Sequence, residues 1–266
     1  MNGLKRICAL AFALILLCSS SAFAAKKKEK ATPTPAPVEI QAEPAEPPEL
    51  IRRLLDIAYE EWTTVNGKDQ GSKNKYTTWY NKYPWGANRW CAGFVTWCML
   101  EAGIPQDVQD EVNKYEEGTC PEPVFHVKGS APKKMAPGYL HMHRTSAIPQ
   151  KGFIVLYGEK SNKYVHVGIV YDVELRADGK YRLTCIEGAM KNTVRMFVYD
   201  YDPNAENKLK NISFVPKEER TQEESKIFTY GKHTQRTAYY VNCFLMPWVP
   251  EGTETGTEAE AESEAE

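Results

Sequence analysis

The chain has 266 residues, with 33 basic and 35 acidic side chains, a net charge of −2 and 42% hydrophobic content. That balance leaves no basic stripe for nucleic acid, and it is apolar enough for a folded core. No segment is long and apolar enough for stable membrane insertion, so the chain is not expected to stay in a bilayer.

The N-terminus reads as a signal peptide over residues 1–24. Lys5 and Arg6 precede an apolar run from Ile7 to Cys18, and Ala22-Phe23-Ala24 is a small-residue cleavage site. Cys18 follows Leu16-Leu17 where a lipidation site wants small residues, which argues against a lipid anchor. The mature protein is predicted to be secreted, to the extracellular space or the cell wall. Residues 25–48 are rich in Pro, Ala and Lys and read as a disordered tether. Residues 251–266 form an acidic tail with no large apolar side chain, also predicted to be disordered. The catalytic domain is then residues 49–250. Without signal, tether and tail its charge turns slightly basic, which suits an anionic wall polymer. Five cysteines remain, Cys91, Cys98, Cys120, Cys185 and Cys243. The odd count leaves at least one free thiol, and the spacing matches no zinc pattern. Cys98 and Cys185 read as small buried apolar residues.

Residues 49–59 place apolar side chains at helical spacing. Residues 66–88 read as a long loop with Tyr76, Trp79, Tyr80, Tyr83 and Trp85 partly packed. A second helix is predicted over 90–102, ending at Gly103. Residues 105–150 read as irregular and contain Cys120, His126, His141 and His143. The period then becomes strand-like over 153–157, 165–173, 181–187 and 194–199. A polar insertion, 200–232, separates these from a last strand at 238–246. Helices first and antiparallel strands afterwards predict an α+β domain.

Cys91 falls on the first turn of the 90–102 helix, where the positive end of the dipole favours a thiolate. Phe94, Val95 and Cys98 continue an apolar side of that helix. His166 shares a strand face with Gly168 and Val170, opposite the apolar set Val165, Val167, Ile169 and Tyr171. A cysteine and a histidine brought together by folding make a nucleophile and its base. Glu187 is the first candidate to orient the imidazole. A four-residue hairpin loop before Gly179 puts Glu187 directly opposite His166, whereas a tight Asp178-Gly179 turn puts Lys191 there. Asn192 competes for the role if the strand ends at Gly188. His141 and His143 form only a bare His-Met-His pair.

These segments resemble a family. Trp90-Cys91-Ala92-Gly93-Phe94-Val95-Thr96-Trp97-Cys98 is similar to the cysteine motif of CHAP domains, the cysteine, histidine-dependent amidohydrolases/peptidases. Residues 151–157 followed by His166-Val167-Gly168-Ile169-Val170 resemble their strand-and-histidine motif, and Ile186-Glu187-Gly188 resembles the segment with their acidic residue. The resemblance covers about residues 54–199, and the NlpC/P60 group is a near neighbour. The family often has Asp where Phe153 stands and Asn where Ala189 stands. The resemblance implies a papain-like fold with N-terminal helices on an antiparallel sheet. It also implies a monomeric hydrolase with Cys91, His166 and Glu187 as catalytic residues and no cofactor or metal. The partner it implies is bacterial peptidoglycan, cut by an N-acetylmuramoyl-L-alanine amidase or a peptide-crosslink endopeptidase activity. The rival expectation is a non-catalytic wall-binding or scaffold protein on the same fold, with the aromatics of 76–90 stacking on sugars.

Overall fold

The computed structural model describes residues 44–65, 68–71, 73–78, 90–159, 164–229 and 239–251, all within the unit spanning 37–266. The expected signal segment, most of the tether, the tail beyond Glu251, and Trp79, Tyr80, Tyr83 and Trp85 lie outside the described residues.

Helix α1, Glu49–Val65, runs beyond the expected end at Tyr59 because its buried stripe does too. Ile51, Leu54, Leu55 and Ala58 are followed by buried Glu61 and Val65. The last residues of the expected tether pack on the domain rather than leaving it. The Ala45 amide donates to Gln150 Oε1, Pro47 is buried, and its carbonyl accepts from Arg52. The short helix α2, Lys75–Thr78, starts at Asn74, whose side chain accepts from the Tyr76 amide. Tyr76 and Lys75 both bond to Glu61, which satisfies that buried carboxylate.

Helix α3, Cys91–Glu101, is buried along nearly its whole length and stops at Gly103, whose φ of +78° favours glycine. Residues 105–150, expected to be irregular, instead hold five short elements. Strand β1 (Gln106–Val108) and helix α4 (Gln109–Val112) lead to strand β2 (His126–Lys128), which pairs in parallel with β1. Helix α5, Pro132–His141, follows, and then strand β3, Thr145–Ser146. Propensity hides α5, since Pro137 and Gly138 sit inside it. Packing selects that glycine: a Cβ at Gly138 would lie 2.7 Å from Val127 Cγ1.

The remaining strands are β4 (Ile154–Gly158), β5 (Tyr164–Leu175), β6 (Tyr181–Glu187), β7 (Arg195–Tyr201), β8 (Ile212–Phe214) and β9 (Tyr240–Leu245). Together with β3 they form one antiparallel seven-stranded sheet in the order β3-β9-β4-β5-β6-β7-β8. The fold is α+β, as the pattern predicted, with α1 and α3 in contact with β5 and β6.

The insertion after β7 is structured rather than only polar. It supplies β8 and helix α6, Gln222–Thr229, which Arg182 ties to β6 through Glu224. The Asn211 side chain donates from Nδ2 to the Val241 carbonyl and accepts at Oδ1 from the Val241 amide, and Tyr201 donates to the Ala147 carbonyl. The two ends of the sheet therefore curl toward each other.

Neither expected β5–β6 register occurs. Leu175 pairs with Tyr181 across loop 176–180, which is closed by a bond from the Arg176 amide to the Lys180 carbonyl. An irregularity between Val170 and Asp172 shifts the ladder, so Val170 faces Cys185 and Ile169 faces Ile186. One step further, Glu187 lies across from Gly168 and not from His166.

Candidate active site

Cys91 is the first residue of α3. The first rung of that helix runs from the Phe94 amide to the Trp90 carbonyl, and Trp90 gives no side-chain cap. The amides of Cys91 and Ala92 are thus outside the helical ladder. Packing fixes this helix end. Trp90 stacks on Tyr76 with ring centres 4.9 Å apart, and Phe94 meets the same ring edge-on. Gly188 allows the end of β6 to sit against this turn, since a Cβ there would lie 2.4 Å from Phe94 Cβ.

The Cys91 thiol is only 2% exposed. Burial pushes its pKa up, but the charge and hydrogen bond of His166, with the amides of Val167 and Ala92, hold it below the ordinary thiol value. Burial drives Cys98, Cys120 and Cys243 the other way, Cys243 to about 11. Cys91, Cys98, Cys120 and Cys243 are free thiols.

His166 stands on β5 with Tyr157 directly across on β4, ring centres 5.7 Å apart. Its Nε2 bonds Glu187 Oε2 at 2.9 Å. That leaves Nδ1 to meet the thiol.

Glu187 ends β6 and is fully buried. It reaches His166 diagonally across the ladder, leaning over the backbone of Gly168. A Cβ at Gly168 would lie 2.6 Å from Glu187 Cγ, so the glycine makes room for the carboxylate. Two further donors end on its second oxygen: Tyr157 at 2.8 Å and Tyr199 at 3.1 Å. Sequence reasoning brought Cys91, His166 and Glu187 forward and missed these tyrosines. Their signal was available, because a phenol set in a buried strand needs an acceptor for its hydroxyl.

Asn192 follows a turn after β6, in which Ala189, Lys191 and Asn192 all have positive φ. Its backbone carbonyl accepts from the Gln70 amide. Phe153, where the motif often has Asp, is buried edge-on to Trp248.

The other described histidines serve different contacts. His126 is buried between Thr96 and Tyr139, and burial pushes its pKa down to about 3. His141 bonds the Tyr115 carbonyl, while His143 meets Glu117. Among the described residues no cluster of three or more His, Cys, Asp or Glu is arranged to hold a metal ion.

The arrangement can move one proton. A thiol, an imidazole and a buried carboxylate are linked in sequence, with the Ala92 and Val167 amides beside the sulfur. The family model described as the CHAP domain matches residues 78–189, a span that contains all three groups. No curated protein and no solved structure matches the chain.

Proposed function

From the CHAP domain that this chain carries over residues 78–189, we propose an exported cysteine hydrolase that cleaves amide bonds in peptidoglycan. The observation that carries the reading is the contact chain from the Cys91 thiol through His166 to Glu187. His166 takes the thiol proton, and the Cys91 sulfur attacks the carbonyl carbon of the scissile amide. The Cys91 amide, outside the helical ladder, is available to the developing oxyanion. The Ala92 amide is directed at the sulfur. When the C–N bond breaks, His166 protonates the leaving amine and an acyl-thioester remains on Cys91. Water, deprotonated by His166, then hydrolyses the thioester, which releases the carboxylate and restores the thiol. Glu187 holds the imidazole and balances its charge as it is protonated. The bond is either the muramoyl-alanine amide or a peptide crosslink.

The test is digestion of purified peptidoglycan by the wild type and by Cys91→Ser, with released fragments identified by mass spectrometry. New amine and carboxylate ends are expected with the wild type only, because a serine hydroxyl is far harder to deprotonate than a thiol. Wall binding without fragments from either protein favours the non-catalytic reading.

A further inference from the structure

Two hydroxyls outside the proposed nucleophile, base and carboxylate end on one oxygen of Glu187. Tyr157 belongs to β4, which flanks β5 on one side, and Tyr199 to β7, which flanks β6 on the other. They approach Oε1 from two directions, at 2.8 and 3.1 Å, while Oε2 faces His166 at 2.9 Å. Their rings meet edge to face with centres 6.3 Å apart. Among the described residues, the titratable and charged groups around this carboxylate include His166 on β5, Cys91 on α3, Tyr157 on β4, and Tyr199 and Arg195 on β7. Arg195, opposite Glu187 in the ladder, gives its Nε to the Met190 carbonyl.

A fully buried carboxylate is driven toward its neutral form unless donors stabilise the charge. As a neutral acid, Glu187 could not balance an imidazolium. A carboxylate free to rotate would also not present a fixed oxygen to Nε2. Two phenol donors meet both needs and add no positive charge of their own.

We infer that Tyr157 and Tyr199 are positioning residues for the Cys91–His166 couple: together they keep Glu187 ionised and fix the oxygen that faces the imidazole. The inference rests on the reading of Cys91 as nucleophile. It gives the tyrosines an effect on thiolate formation that packing alone does not provide.

The experiment is the pH profile of Cys91 alkylation by iodoacetamide, read on the Cys91 peptide by mass spectrometry with the full-length protein. Wild type is compared with Tyr157→Phe, Tyr199→Phe, the double variant, and all three tyrosine changes in a Glu187→Gln background. In the double variant the acid limb should move up by about one pH unit, since a hydrogen bond to a charged group is of that order. Each single variant should move it part of the way. With Glu187→Gln present, the tyrosine changes should cause no further shift. An unmoved or lowered acid limb overturns the inference, as does an equal shift in the Glu187→Gln background. If the double variant does not fold, the two single variants decide by the same criterion. A wild-type Cys91 that alkylates like an ordinary thiol overturns the site reading itself, and the inference with it. That result is distinct from a low wild-type limb that the tyrosines fail to move.

Discussion

Gly168→Ala places a methyl where the carboxylate of Glu187 now leans. The new Cβ would lie 2.6 Å from Glu187 Cγ, 3.4 Å from its Cδ and 3.3 Å from the Ile186 carbonyl oxygen. Ordinary contact needs close to an ångström more at Cγ, so Glu187 must withdraw by about that distance. The 2.9 Å bond to His166 then stretches beyond hydrogen-bond range. A displacement of about 1 Å in a catalytic group costs on the order of a hundredfold in rate. The strain of overpacking the sheet adds about 1–3 kcal/mol of lost stability. The assay is the initial rate of peptidoglycan solubilisation per folded molecule, with the folded fraction taken from near-ultraviolet circular dichroism. Wild-type rate and melting temperature in Gly168→Ala would refute the diagonal contact on which the site is built.

Cys98→Ser should keep activity per folded molecule but lower stability by about 1–3 kcal/mol, because it buries a hydroxyl on the inner side of α3; urea titrations beside the digestion assay check both. His126 gives an acid-sensitive stability. Its folded pKa, about 3, lies below the unfolded value near 6.5, so the unfolded state binds the extra proton. Stability from this site is therefore complete above about pH 6.5 and falls by about 1.4 kcal/mol per unit as pH drops from there toward 3. Denaturant midpoints should show this slope in the wild type and lose it in His126→Gln; equal slopes would contradict the assignment. A chain trimmed to begin at residue 49 should melt below one that begins at residue 44, because it loses the Ala45–Gln150 bond and the burial of Pro47.

Much of the site was legible because helix and strand periods act locally. The start of α3 and the span 181–187 follow directly from patterning, and they carry Cys91 and Glu187 to their elements. The β5–β6 register was less accessible, since it depends on a long-range irregularity between Val170 and Asp172. Both expected hairpin loops were wrong because the turn takes five residues, 176–180, yet the Glu187–His166 contact forms because Gly168 leaves a diagonal path open. Helix α5 was hidden by Pro137 and Gly138; packing against Val127 selects the glycine against its propensity. Residues 200–229 were polar enough to read as an insertion. Their order comes from partners distant in sequence, such as Asn211 with Val241 and Glu224 with Arg182.

If Cys91 attacks an amide bond of the cell wall, as proposed, an acyl group must pass through its sulfur. The most direct measurement is capture of the intermediate: peptidoglycan fragments mixed with the purified protein, quenched in acid, and the Cys91 peptide weighed by mass spectrometry. An acyl-thioester should form on Cys91 and disappear as free carboxylate accumulates, with no adduct in Cys91→Ser. Hydrolysis that proceeds unchanged in Cys91→Ser, or an adduct found only on Cys120 or Cys243, would contradict it.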